Sequence, residues 1–292
     1  MDLNRNWFIG VLSLVLFFGM SACEKTPTVS EKQGEFTAKT KDGLMVKYEV
    51  AGKGDTTLVF VHCWTCNRSF WDGQFNALAK HYRVVRLDLV GHGDSSKGRQ
   101  QYSMASFGAD VAAVVNDLKL KKVVLIGHSM GGPVSVEAAK LLGNKVIGVV
   151  GVDTFYTGFP YPADEAATEN FVKPFKDDFT KASAGMVRSM FPATADPAIV
   201  DRVVNVIQNA DQKMAVEAMY DIFHWTQKEV PAALDALGQK LRNINAEPVT
   251  KDTKQHTSVT RIAGVGHFVQ MEKSDEFNRI LVGYIKGFEA AK

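Results

Sequence analysis

A single serine lies between a continuously apolar segment and a helical pattern, in the sequence Gly-His-Ser-Met-Gly at residues 127–131. The preceding Val-Val-Leu-Ile at residues 123–126 is typical of a β-strand that is covered on both faces. The segment that follows, at residues 131–142, has helical spacing. The pattern G-x-S-x-G in this position predicts a tight turn from a buried strand into a helix, with Ser129 at the turn.

The chemistry of a nucleophilic serine accounts for each part of this motif. The flanking glycines permit a strained turn and close packing of the helix. The helix N-terminus directs backbone N–H groups and the positive end of its dipole towards a developing oxyanion. The motif therefore predicts that Ser129 is a catalytic nucleophile.

A serine hydroxyl is a weak nucleophile without a general base, and the chain contains seven histidines. His267 alone follows a glycine-rich turn near the end of the chain, Gly-Val-Gly at residues 264–266. His62 and His92 lie in loops after earlier strands, and His128 is expected to point away from the pocket. The pattern favours His267 as the base.

Short β-rich segments alternate with helical patterns along most of the chain, which indicates a mainly parallel sheet. The dipeptide Asp42-Gly43 predicts an antiparallel pair at the start. We predict strands at residues 35–40, 44–51, 57–61, 82–87, 122–127, 146–152, 241–246 and 258–262, and helices at residues 69–79, 104–118, 131–142 and 274–290. Residues 156–236 contain no convincing strand and carry Met and Phe at helical spacing, which predicts a helical cap over the carboxyl edge of the sheet.

The first 22 residues differ from the rest of the chain. An apolar run at residues 7–20 has the length and flanks of a signal-peptide core and is short for a membrane span. It ends in Met-Ser-Ala-Cys, which resembles the bacterial lipobox. The resemblance implies export, lipidation of Cys23 and anchoring to a bacterial membrane, with residues 23–35 as a flexible tether. A cleaved secretory signal and a retained anchor are the alternatives.

Charge and composition exclude several classes of function. The formal net charge is +2, and no basic stripe argues for nucleic-acid binding. Neither H-E-x-x-H nor a dinucleotide or P-loop glycine pattern is present, so no metal and no organic cofactor is implied. Hydrophobic residues make up 46% of the chain, which is enough for a sizeable core.

Three motifs together resemble the α/β-hydrolase superfamily: the serine turn at residues 127–132, the late Gly-Val-Gly-His-Phe, and Asp-Leu-Val-Gly-His-Gly-Asp-Ser at residues 88–95. The resemblance covers roughly residues 36–288. It implies an α/β fold with a mostly parallel eight-stranded sheet, helices on both faces, and a helical cap inserted after the sixth strand. In these terms residues 36–155 and 237–292 form the core, residues 156–236 form the cap, and Asp88 is structural.

The resemblance also places an oxyanion-hole loop after the third strand, which commonly begins His-Gly. This chain has His62-Cys63-Trp64, so Cys63 replaces the glycine. The backbone N–H groups of Trp64 or Cys63, with that of Met130, are then expected to bind the oxyanion. Cys63 and Cys66 form a C-x-x-C pair, for which an incidental pair of small residues and a local disulfide are both favoured over a redox site.

The third member of the triad departs from the usual pattern of the superfamily. The usual acid follows the seventh strand in a Gly-x-x-Asp turn, which is missing here. A minority of relatives, including some haloalkane dehalogenases, carry it after the sixth strand, where this chain has Asp153. We favour Asp153, with Glu247, Asp252 and a catalytic dyad as alternatives.

The sequence as a whole predicts acyl transfer to water. Ser129, His267 and Asp153 would cleave a small carboxylic ester or related acyl substrate through an acyl-enzyme. C–C bond hydrolysis, lactonase or perhydrolase chemistry on the same residues is the first alternative, and a non-catalytic ligand-binding protein of the same fold is the second. Dehalogenase and epoxide-hydrolase chemistry is disfavoured, because those relatives have Asp where this chain has Ser129.

Overall fold

The computed structural model describes residues 33–156, 161–230, 232–247 and 258–291. The signal-like segment, Cys23 and Asp252 lie outside these residues. None of the helices within the described ranges is long and apolar enough to cross a membrane.

Eight strands form one sheet in the order β1-β2-β4-β3-β5-β6-β7-β8. Only β1 and β2 run antiparallel to their neighbours, and the remaining pairs are parallel. The strands are β1 Gly34–Lys39, β2 Met45–Ala51, β3 Thr57–Val61, β4 Arg83–Leu87, β5 Val123–His128, β6 Val146–Val152, β7 Leu241–Ala246 and β8 Val259–Ile262. The predicted α/β fold and its eight strands are confirmed, and β1 takes in the last two residues of the expected tether.

Helices cover both faces of the sheet, and several begin at the predicted residues. Two separate apolar clusters lie against the two faces, so the central strands β3 and β5 are buried on both sides. The helices are α1 Asp72–Leu78, α2 Met104–Asp117, α3 Gly131–Leu142, α4 Glu165–Asp177, α5 Phe179–Ser189, α6 Pro197–Gln208, α7 Gln212–Lys228, α8 Ala232–Leu237, α9 Val269–Glu272 and α10 Ser274–Ala290.

Helices α4 to α8 lie between β6 and β7, and we call residues 161–237 the insertion. Four of its helices begin with an aspartate whose side chain accepts a hydrogen bond from a backbone N–H of the first turn, which is a strong N-cap; these are Asp164, Asp178, Asp196 and Asp211. Their apolar faces bury two further clusters, both of which include Trp64 at their edge. The insertion therefore packs on the loop that follows β3.

Candidate active site

Ser129 occupies a left-handed turn between β5 and α3. Its φ is 52°, which a side-chain-bearing residue rarely adopts, and its N–H donates to the carbonyl of Val152 at 2.9 Å. A Cβ at Gly127 would collide with the Gly131 carbonyl, and one at Gly131 would collide with the carbonyls of Val61 and His62. Both glycines of the motif are therefore required by close backbone approach, and the start of α3 packs directly against the end of β3.

Asp153 and His267 are brought together at the same edge of the sheet. Asp153 follows β6, also with a left-handed φ (46°), and its Oδ2 lies 2.5 Å from His267 Nδ1. Its other oxygen accepts the N–H of Ala246 at 2.9 Å and the Tyr156 hydroxyl at 2.6 Å. Burial would raise the pKa of Asp153, but the hydrogen bond and charge of His267, with the bonds from Tyr156 and Ala246, hold it below its ordinary value.

His128 supports the loop that carries His267. Its Nε2 lies 2.8 Å from the His267 carbonyl oxygen, and its Nδ1 lies 3.2 Å from the Gln270 side-chain nitrogen. A neutral ring satisfies both contacts, with Nε2–H donating and Nδ1 accepting. Burial and the neighbouring His267 lower the pKa of His128 to about 3, which keeps the ring neutral. His128 therefore holds the main chain of the His267 loop in position.

The structure leaves other sequence-predicted residues apart. The hydrogen bonds among the described residues include none between the Ser129 hydroxyl and His267, a pair that often tightens only when substrate binds. Glu247 is exposed, and its N–H donates to the carbonyl of Ile262. Asp88 is buried and accepts hydrogen bonds from Arg68, as expected for a structural residue.

The loop after β3 is a turn closed by a disulfide between Cys63 and Cys66. The Cys66 N–H also donates to the Cys63 carbonyl at 3.2 Å, and Thr65 has a left-handed φ of 55°. His62 Nε2 accepts the N–H of Leu89 at 3.0 Å, so its proton resides on Nδ1, which donates to the Cys63 carbonyl at 2.8 Å. The pair is thus a local disulfide within the expected oxyanion-hole loop.

The insertion holds both loops through its main-chain carbonyls. The His267 N–H donates to the carbonyl of Met190 at 2.9 Å, and the Trp64 indole N–H donates to that of Ala215 at 2.8 Å. A Cβ at Gly266 would collide with the Met190 carbonyl, so this glycine permits the approach. The rings of Phe191 and Phe268 stack at 4.9 Å beside it.

Sequence reasoning missed two kinds of contact here. The sequence places Tyr156 at the start of the predicted cap, although a tyrosine three residues after an acid at a strand end is within reach of that acid. The carbonyls of Met190 and Ala215 carry no sequence signal, because every residue has one. No group of three His, Cys, Asp or Glu within the described residues could hold a metal ion.

Residues 56–274 match the family model described as alpha/beta hydrolase fold. Over 278 residues the chain is 28% identical to the dihydrolipoyllysine-residue acetyltransferase component of the acetoin cleaving system of Pseudomonas putida, covering 88% of this chain and 71% of that protein. A thermophilic esterase from Thermogutta terrifontis has a TM-score of 0.73 at 20% identity, covering 87% of this chain and 98% of that one. An AqdC variant that cleaves the ring of the Pseudomonas quinolone signal has a TM-score of 0.75 at 20% identity, covering 87% and 99%.

Proposed function

We propose that this chain, which belongs to the α/β-hydrolase fold family, is a serine hydrolase that cleaves a small carboxylic ester or related acyl substrate. The observation that carries the proposal is the pairing of Asp153 with His267 at the sheet edge where Ser129 turns from β5 into α3. A serine, an imidazole and a buried carboxylate are the groups that acyl transfer needs.

The proposed reaction begins with attack of the Ser129 hydroxyl oxygen on the substrate carbonyl. Because Nδ1–H of His267 is donated to Asp153, its Nε2 is bare and takes the serine proton. The oxyanion would accept the N–H of Met130 and that of Trp64 or Cys63. Met130 precedes the first turn of α3, where backbone N–H groups have no partner within the helix.

The imidazolium then protonates the leaving group, which departs and leaves an acyl-enzyme. Water attacks this ester with His267 again as the base, and the acid is released. Asp153 stays ionised throughout, as its lowered pKa favours, and stabilises the imidazolium each time it forms. The described insertion packs on Trp64 and on the His267 loop, which supports a role for it as a cap beside the substrate.

The test is covalent labelling combined with turnover. An organophosphorus serine probe should label the wild type and not Ser129→Ala, and Ser129→Ala should lose about 10⁶ in turnover, as when a triad nucleophile is removed. Ser135→Ala is the matched control, since Ser135 is buried and donates within α3 to the Gly131 carbonyl. Wild-type protein that neither labels nor turns over a panel of esters, thioesters and lactones would instead favour a binding protein.

A further inference from the structure

The disulfide encloses the segment from which a proposed oxyanion donor comes. Cys63 and Cys66 have Cα atoms 5.3 Å apart, within the range that a disulfide spans. Trp64 lies inside the closed turn. Trp64 lies in neither a helix nor a strand. Among the backbone hydrogen bonds of the described turns and loops, none is donated by its N–H. That N–H is therefore available to a ligand.

The turn that would position the Trp64 N–H includes a strained residue. Thr65 has a left-handed φ of 55°, a strained conformation that persists only when its surroundings impose it. The disulfide and the backbone hydrogen bond from Cys66 to Cys63 both join the first residue of the turn to its last. Breaking the covalent closure removes the one bond that joins the two ends of the turn covalently, and leaves the backbone hydrogen bond with the side-chain bonds from His62 and Trp64 to hold it.

The two sulfurs also connect the turn to the base loop. Cys63 and Cys66 are only 3% and 1% exposed, in a cluster with Phe70, Phe268 and apolar residues of α6. Phe268 directly follows His267, so the disulfide packs close to both catalytic loops. Cys66 also lines a cavity of about 160 Å³.

We propose that the Cys63–Cys66 disulfide is a positioning element of the oxyanion hole, so that the enzyme reaches its full rate only while the pair is oxidised. The inference rests on the function proposed above. Oxyanion donors act when they are 2.7–3.1 Å from the charge that develops, and loss of one donor costs about 10² to 10³ in turnover. A turn that relaxes displaces its donor and loses part of that stabilisation.

Reduction of the disulfide by dithiothreitol tests the inference. The dithiol gives two electrons and two protons, the Sγ–Sγ bond breaks, two thiols form, and the reductant becomes a cyclic disulfide. We expect kcat for a p-nitrophenyl ester to fall about tenfold or more, with KM little changed, and to recover on reoxidation. The oxidised, denatured protein should titrate at most one thiol, that of Cys23.

The control is Cys66→Ala, which keeps both candidate backbone donors and removes the disulfide. Its kcat should be low from the start and indifferent to dithiothreitol, which excludes an effect through Cys23. Circular dichroism and thermal unfolding of reduced wild type show whether the fold persists. If Cys66→Ala does not fold, the reduction of wild-type protein still decides between the outcomes.

A purely structural disulfide gives a different pattern, in which reduction lowers the melting temperature and leaves kcat unchanged at 25 °C. That result, wild-type kcat in Cys66→Ala, or free thiols at Cys63 and Cys66 in the isolated protein would overturn the inference. An oxidised wild type that neither labels at Ser129 nor turns over any ester means that the proposed function itself has failed, and the inference falls with it.

Discussion

The carboxylate of Asp153 reaches His267 across the end of one intervening strand. Asp153 follows β6 and His267 follows β8, while β7 lies between them in the sheet. Ala246, the last residue of β7, donates its N–H to the oxygen of Asp153 that does not contact His267. The acid is thus held by the strand that it crosses.

Asp153→Asn should lower turnover by about 10⁴, because an amide in this position holds the imidazole in the wrong tautomer. The fold should persist, since the amide keeps the size of the side chain. Steady-state kinetics on one activated ester measures the loss. Glu247→Gln and Asp252→Asn are the matched controls, and near-normal turnover in Asp153→Asn with collapse in either control would reject Asp153 as the acid.

Tyr156→Phe should move the acidic limb of the kcat/KM profile to higher pH. The tyrosine hydroxyl donates to Asp153 at 2.6 Å and withdraws negative charge from it. Without that bond the pKa of Asp153 rises, so the carboxylate that orients the imidazole is lost at a higher pH. Kinetics from pH 4 to 9 measures the limb. A drop in kcat with an unmoved limb would indicate only a packing role.

The elements that the sequence predicted well are those governed by local pattern. The bounds of the strands Thr57–Val61, Val146–Val152 and Leu241–Ala246 agree with the prediction to the residue. The first two are almost continuously apolar, as buried parallel strands are, whereas the third contains an arginine and two asparagines. Asp153 could be proposed because it ends the second of these strands. Two hydrogen bonds could not be predicted: the one from Tyr156 to Asp153 and the one from His267 to the Met190 carbonyl. Both depend on how the insertion folds back onto the sheet edge, which no local pattern encodes.

Gly266→Ala should lower kcat about 10²-fold through a shift of the base loop. The new methyl would collide with the Met190 carbonyl, which accepts the His267 N–H, and a displacement of about 1 Å at a catalytic group has costs of this size. Gly283→Ala in α10 is the control, since nothing lies within 4 Å of its Cβ position. Equal kcat in both variants would contradict the prediction.

Phe175→Leu should shift the preference among ester chain lengths towards longer acyl groups. Its ring lies edge-on to Trp64 at 5.7 Å, so a smaller side chain opens space beside the proposed oxyanion turn. Phe171→Leu is the matched control, because Phe171 is 44% exposed and its ring stacks on that of Phe175. The ratio of kcat/KM for butyrate and octanoate esters measures the shift, and the same ratio in all three proteins would count against it.

Cys23 should carry lipid in a bacterial host that processes lipoproteins. The apolar run at residues 7–20 followed by Ser-Ala-Cys motivates this prediction. Several acyl chains anchor a protein stably, whereas one binds only marginally. Metabolic labelling with a fatty acid should mark the wild type and not Cys23→Ser. Unlabelled wild type in the soluble fraction would rule the anchor out.

The bonds from His267 to Met190 and from Trp64 to Ala215 both end on main-chain carbonyls. Every amino acid supplies a main-chain carbonyl at positions 190 and 215, so a substitution that fits the packing leaves both anchors in place; at the fully buried Ala215 this limits the size of the side chain. A deletion or added residue in α5 or α7 would instead rotate the carbonyls away from their donors. We therefore expect a change of length in α5 or α7 to disturb both loops, whereas a substitution at position 190 or 215 that fits its surroundings does not.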